Sequence, residues 1–488
     1  MKIVFLRKSI SIEGEPLGVM QLSALAKERG HQTYLLPAQN NLDNQINQIK
    51  PDIIALSVMS SEYPNMKPVI QRLKKQFSDI PVILGGPHAT FAKNAINDLP
   101  VDALCVGEGE NSFKEIIKRV ESGSNFEGIP NIHTQASKSE IGPLIENLDE
   151  LPFPDRELLY NSSLSFERFR VRSFMSSRGC IYKCNYCFVP GYNELYKGLG
   201  NIVRKRSPDH LIEEICEVTK KYTTEFIRFS DDIFIYGVDD WFEEFSRKYR
   251  KKVNLPFYCL LRSNSVRPEL VKAMKEAGCH SVCMSLETAN DELRRMVLKR
   301  KVTNEQYIKS FDLFNNAGIK IYTNSMVALP HATLQDELDT LDLNIRCKPA
   351  CGLFSICVPY PGTDIFDYCV ENKWVKKDLK FEEINQSTGE FSMLSSFSQK
   401  EKQIQKNISL LAPLTIRFPI LKNLVVKRLI YWPNNIIFGF LHYFGKSYLF
   451  KKYIFPSKYS LFESILMLLV TFKAELDQIY PKKHKKSS

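Results

Sequence analysis

The sequence predicts an α/β protein in unlike parts: a doubly wound parallel sheet, then a partial barrel of six strand–helix units, then a mainly helical C-terminal region. Three observations carry this. Over residues 2–125 short apolar runs alternate with amphipathic segments, the pattern of parallel strands joined by helices. The rhythm lapses over 126–172 and resumes at Ser173, where it repeats six times, too few units to close an eight-stranded barrel. From Lys402 onward the composition turns basic, aromatic and apolar.

In order along the chain, KIVFLRK at 2–8 reads as a buried strand, and LGVMQLSALAKER at 17–29 as a helix stopped by Gly30. Strands follow at HQTYLLP from His31, DIIALSV at 52–58, PVILGG at 81–86 and DALCVG at 102–107, with helices between, one at 64–78 and another from Ser112. These make residues 1–125 a flavodoxin-like domain, whose ligands lie beyond the C-terminal strand ends. Three of those ends are small or polar: Ser57 to Ser61, Gly85-Gly86-Pro87-His88 and Gly107-Glu108-Gly109-Glu110. Glycine there lets a bulky ligand approach the backbone, though the same residues also suit ordinary loops. Pro152 and Pro154 make 126–172 an extended linker. In a second domain, 173–372, strands are expected to end near Cys180, Asp232, Asn264, Glu287, Leu329 and Pro361, with helices such as 208–222, 268–277 and 333–346 between them. Residues 373–488 form a C-terminal extension.

The first unit of the second domain contains Arg178-Gly179-Cys180-Ile181-Tyr182-Lys183-Cys184-Asn185-Tyr186-Cys187. Cysteines spaced C-x₃-C-x₂-C can hold three corners of a [4Fe–4S] cube. No fourth follows at ferredoxin spacing, so one iron stays open to an outside ligand. A zinc site more often takes four protein ligands in two pairs. With Tyr186 just before the third cysteine, the chain resembles the radical S-adenosylmethionine (radical SAM) family. The resemblance implies that Cys180, Cys184 and Cys187 are the catalytic metal ligands. It implies that SAM chelates the open iron and that one electron releases a 5′-deoxyadenosyl radical. It further implies SAM contacts at Tyr186, Asp231, Asp232, Arg262 and Glu287, the last of which would serve equally as a salt-bridge residue. Arg204, Arg206 and Ser207 fit either a role near cofactor or a capped helix start.

The segments PLGVMQLSALAKERGH, KPDIIALSVMS, ILGGPHATF and DALCVGEGE resemble the cobalamin-binding domain that precedes many radical SAM enzymes. That implies cobalamin against Ser57, Gly85, Gly86, Gly107, Glu108 and Gly109. The D-x-H-x-x-G motif that would supply a histidine to cobalt is missing. No protein histidine is therefore expected below the cobalt. His88 is the nearest candidate, and an ordinary loop histidine is the competing reading. At the fifth strand the family's Gly-Leu-Pro-Gly is replaced by Ala328-Leu329-Pro330-His331, so His331 is expected to face substrate.

The resemblance implies a cobalamin-dependent enzyme, with C-methylation of an unactivated carbon first. Cyclisation, ring contraction or hydroxylation with the same cofactors comes next, and a non-catalytic cobalamin or iron–sulfur sensor or carrier is the alternative of another class. A small-molecule substrate and an external flavodoxin- or ferredoxin-type electron donor follow as partners. Charge excludes little else: Lys and Arg number 15 against 3 Asp and Glu in 402–488, but 51 against 52 in 1–401. The balanced body gives no reason to invoke nucleic acid. Twelve cysteines over this length are no disulfide framework, and the start Met1-Lys2-Ile3-Val4 reads as cytoplasmic. Cys279 and Cys283 are expected in the core, and Cys347, Cys351 and Cys357 match no second cluster motif. In the tail, no uncharged run reaches the ~18 residues of a membrane span. Its helices, including the stripe Leu461, Ile465, Leu468, Leu469 and Phe472, are expected to cap the barrel or to rest on an anionic membrane surface.

Overall fold

Ile3, Val4, Phe5 and Leu6 are all buried, because helices cover both faces of the sheet that their strand enters. Val4 and Leu6 point into one apolar core, Ile3 and Phe5 into the other. In this computed structural model, residues 1–9, 14–92, 95–162, 164–384, 390–460 and Glu463 are described. The first sheet comprises β1 (Lys2–Arg7), β2 (Gln32–Pro37), β3 (Ile53–Ser57), β4 (Val82–Gly85), β5 (Ala103–Cys105) and β6 (Ile132–His133). Its order is β2-β1-β3-β4-β5-β6, parallel through β5 with an antiparallel edge at β6. The chain reverses direction across the sheet between β1 and β3, and ligands of such sheets bind above that point.

The second sheet is built from β7 (Val171–Phe174), β10 (Phe226–Phe229), β11 (Phe257–Leu260), β12 (Cys279–Cys283), β13 (Lys320–Val327) and β14 (Cys351–Ile356); between its first two strands β8 (Ser177–Arg178) pairs antiparallel with β9 (Arg204–Lys205). The six parallel strands lie side by side in chain order, β7 at one edge and β14 at the other. The helices Pro208–Lys221, Pro268–Ala277 and Leu334–Cys347 fall where the sequence put them, started by Ser207, a proline and Thr333. Every strand stops two to six residues before its expected end. Cys180, Asp232 and Asn264 therefore stand on loops beyond the strands, while Glu287 is buried and keeps a backbone contact with β13, its amide donating to Asn324 O at 3.1 Å and its carbonyl accepting from Met326 N at 2.7 Å.

Cys279 and Cys283 are buried in β12. Cys347, Cys351 and Cys357 are buried in three different apolar clusters. Past the barrel, Ser398 and Glu401 form a capping box for the helix Gln399–Arg417, whose Ile404, Ile408, Leu411 and Ile416 bury against Val327, Phe354 and Ile356. The helix thus covers the edge at β14. The helix Ile436–Leu449 packs on its outer side. Leu449 and Ile454 then close the N-terminal mouth of the barrel, against Val171, Phe226 and Cys351, the first residues of their strands. Ser281 Oγ donates to Ile454 O at 2.7 Å there. No helix among the described residues is long and apolar enough to cross a membrane. The stripe from Leu461 to Phe472 lies outside the described residues.

Candidate active site

The C-terminal ends of the two sheets meet across one cavity of about 610 Å³. From the first domain it is lined by Ser57, Gly85, Gly86, Gly107, Glu108 and Gly109, all six candidates for cobalamin. From the second it is lined by Arg178, Gly179, Phe188, Tyr192, Ser230 and Asp232. Gly86 and Gly107 have positive φ, 91° and 80°, and a Cβ on Gly107 would lie 2.0 Å from Tyr196 Oη, so local packing also demands glycine there.

The cysteine loop is fixed from below. Asp231 Oδ1 accepts from the amides of Ser176 and Ser177 at 3.0 and 2.5 Å and from their hydroxyls at 2.8 and 2.6 Å. Burial raises the Asp231 carboxyl to about 6, against the pull of those donors. Gly179, at φ 89°, leaves no room for a Cβ, which would lie 2.0 Å from Ile202 O. Asn193 Nδ2 donates to Cys180 O at 3.1 Å, and Asn185 Nδ2 to Val297 O at 2.9 Å. Cys180 and Cys184 are buried and Cys187 is half-buried. Burial raises the Cys180 thiol, and pushes the Cys187 thiol up to about 11, with the other two cysteines adding to it. Two donors aim at sulfur: Val189 N at Cys187 Sγ, 3.5 Å, and Arg262 Nη1 at Cys184 Sγ, 3.4 Å. Arg262 also stacks on Tyr182, 3.7 Å from the ring centre, and its Nε is buried without a partner.

This chemistry fits an iron–sulfur cube. Three thiols share one loop and one another's field, a cation stands beside them, and donors tune sulfur. Among the described residues no three His, Cys, Asp or Glu converge on a point that would hold a single metal ion; a cube asks its thiolates for separate corners.

Beside the loop lies a second buried group. Tyr186 Oη donates to Glu287 Oε1 at 2.7 Å, and Arg300 Nη1 reaches both, at 2.7 and 3.0 Å. Burial first, and the Glu287 charge next, raise the Tyr186 phenol well above its usual range. Glu287 has φ 70°, a left-handed backbone that costs a residue with a side chain about 1–2 kcal/mol. The candidates for SAM therefore fall into separate places. Asp232 faces the cavity: water reaches it, yet the surrounding walls desolvate its carboxyl and raise it. Arg262 touches Cys184; Tyr186 and Glu287 form the buried group; and Asp231 braces the loop.

Sequence reasoning missed Arg300, which no local pattern marks, and the partners of Glu108. Glu108 Oε1 accepts from Arg178 Nη1 at 3.0 Å and Arg204 Nη2 at 2.8 Å, and Oε2 from Arg204 Nη1 at 3.0 Å. Burial raises its carboxyl, but the two guanidiniums outweigh this and hold it below its ordinary range. Arg178 also donates to Glu110 at 2.5 Å. Arg204 is thus a clamp between the domains, while Arg206 pairs with Glu214 at 2.5 Å and Ser207 caps its helix by accepting from His210 N.

The histidines are also sorted. His88 does not line the cavity; it is 1% exposed, stacked on Tyr63 with Phe381 edge-on. His210 does line it, but its Nδ1 is already engaged by Arg206 Nε at 2.9 Å and by Asp149 Oδ1 at 3.2 Å. His331, expected to face substrate, is exposed instead and bonded to Tyr368 Oη at 2.7 Å. Its φ of 64° turns the loop back outward.

The comparisons with known proteins follow the same division. Residues 3–117 match the B12 binding domain, and residues 174–343 the radical SAM superfamily. The chain is 25% identical over 379 residues to an uncharacterized methyltransferase of Pyrococcus horikoshii, covering 75% of this chain and 81% of that one. It is 23% identical over 352 residues to the anaerobic magnesium-protoporphyrin IX monomethyl ester cyclase of Rubrivivax gelatinosus, covering 67% and 60%. Among solved structures it is similar to the cobalamin-dependent S-adenosylmethionine radical enzyme OxsB with aqua-cobalamin and S-adenosylmethionine bound. The TM-score is 0.67 at 14% identity, over 97% of this chain and 75% of that one. The class these define is an enzyme that pairs a cobalamin domain with a SAM-cleaving barrel. The chain belongs to the radical SAM superfamily, among the members with a B12-binding domain, and its cofactors are a [4Fe–4S] cluster, SAM and cobalamin.

Proposed function

We propose that the protein methylates an unactivated carbon of a small molecule, taking reducing electrons from a flavodoxin or ferredoxin. The observation that carries this is the shared cavity: strand ends of the cobalamin domain and the barrel loop beside Cys180 line the same space. Methyl transfer to a substrate radical needs the two reacting centres held within reach of one carbon. When bound, the cofactors supply a carbon-centred radical from SAM and a cobalt-borne methyl group.

The chain's own residues do the holding. Cys180, Cys184 and Cys187 anchor the cluster, and Arg262 offsets negative charge beside Cys184. Asp232, on the cavity wall, suits the SAM ammonium. The Tyr186–Arg300–Glu287 group keeps the far side of the loop rigid. Ser57, Gly85, Gly86, Gly107 and Gly109 give cobalamin a small-residue wall, and Glu108 closes that wall onto the barrel. No histidine is expected to ligate cobalt in this reading, since His88 is stacked away between Tyr63 and Phe381 and His210 is tied to Arg206 and Asp149. Nitrogen superhyperfine splitting in the Co(II) electron paramagnetic resonance spectrum would count against it.

The test is anaerobic reconstitution with iron, sulfide and cobalamin, followed by SAM, reductant and candidate substrates. The expected products are 5′-deoxyadenosine and S-adenosylhomocysteine together, both lost when the three cysteines become alanine. Deoxyadenosine without homocysteine removes the methyl-transfer claim. It would favour the second reading, radical cyclisation with the same cofactors, to which the likeness to the Rubrivivax gelatinosus cyclase points.

A further inference from the structure

Among the described residues, most of the large apolar side chains left in water lie in one short stretch. Phe418, Ile420, Leu424, Trp432, Ile437 and Leu441 are exposed, Ile420 by 89%. Within the helix Ile436–Leu449 the exposed residues Ile437, Leu441, Phe444 and Tyr448 are spaced by four, three and four, a single stripe. The opposite side, with Phe438, His442, Tyr443 and Leu449, is buried in the protein. A helix apolar on both sides has a second apolar neighbour to find.

The stripe runs into a charged cleft. Tyr448 also lines a cleft of about 900 Å³ with Lys451, Lys452, Lys458, Thr224 and Glu225. Glu225 is already engaged, by Arg170 Nη1 at 2.5 Å and Lys458 N at 2.6 Å, so the cleft presents positive charge. Residues 418–452 contain six Lys and Arg and no Asp or Glu. Lys427 and Arg428 are exposed and make no ion pair among the described residues. Trp and Tyr beside such an apolar face are the side chains favoured at a membrane–water boundary.

We propose that residues 418–458 dock the enzyme on the surface of an anionic lipid bilayer, with the Ile437–Tyr448 stripe at the acyl–headgroup boundary and Lys451, Lys452 and Lys458 on lipid phosphates. Charge selects this occupant. Residues 464–488 carry five Lys against one Glu and one Asp, and a second copy would bring the same cations, so both would meet like charge; an anionic bilayer meets opposite charge over the whole face. A helix of this length cannot span a bilayer, and with its other side already buried in the protein it can meet one only by laying the exposed stripe in the interface.

The test is flotation of the full-length holoenzyme with phosphatidylcholine vesicles, with and without about one-third phosphatidylglycerol. The protein is expected to float with the anionic vesicles and remain below with the neutral ones. Ile437→Ser with Leu441→Ser, and separately Lys451→Gln with Lys452→Gln, should each lower the partition coefficient about tenfold, with iron and cobalamin content unchanged. No flotation, equal flotation with both vesicles, or unchanged flotation of both variants overturns the proposal. So does a dimer in sedimentation velocity that Ile437→Ser with Leu441→Ser dissociates, which would make the face an interface between copies.

Discussion

Glu287 illustrates what a single residue contributes here. Its backbone is left-handed, and its carboxylate is held by a phenol and a guanidinium from two other loops. Strain of this kind persists only where neighbours over-determine it, and it gathers at functional sites. The cysteine motif was legible because its three residues share one loop, so spacing alone describes it. Arg300 was not legible, because its partners Glu287 and Tyr186 are 13 and 114 residues away along the chain. His88 makes a prediction at this scale. Burial lowers its pKa from 6.5 to about 4. A base with a depressed folded pKa contributes stability that is whole above 6.5 and is lost as pH falls toward 4. The loss should reach about 3 kcal/mol. Denaturant midpoints measured from pH 7.5 down to 4 should show it in the natural protein, and His88→Phe should flatten that slope.

Among elements, strand–helix alternation located every parallel strand of both sheets, since parallel strands covered on both faces are continuous apolar runs, but not the antiparallel edge β6, which lies in the stretch read as linker. The ends of the parallel strands were misjudged because left-handed residues such as Gly179, Glu287 and Ala328 turn the chain out of the strand direction before the polar tips are reached. The fifth barrel strand adds a subtler case. Ala328 and His331 stand where the family has glycines, yet their φ values are 58° and 64°. The backbone has kept the glycine shape without the glycines. Ala328 is fully buried, and its amide donates to Glu337 Oε1 at 2.8 Å, which fixes the turn. Ala328→Gly should therefore change stability by less than about 0.5 kcal/mol, relief of strain offsetting the lost methyl. Ala328→Val should cost about 2 kcal/mol or more, read as a lower thermal midpoint by circular dichroism.

For the molecule as a whole, the arrangement of the domains was the least legible feature. Glu108 looked like a loop carboxylate near a ligand, and its two arginines lie 70 and 96 residues further on. Removing one partner from a buried ionic cluster leaves charges uncompensated and costs about 3–5 kcal/mol. Glu110 still serves Arg178, so Glu108→Gln should sit near the lower figure. Urea unfolding followed by tryptophan fluorescence should show the early loss, and cobalamin retention on gel filtration should fall with it.

The seal formed by Leu449 and Ile454 has its own consequence for turnover. A vessel stoppered at the base fills and drains through its rim, and here the rim faces the cobalamin domain. Substrate must come in and product must go out along the same passage. A bulky product would then obstruct its successor, and the pace of the enzyme would follow how readily its two halves part.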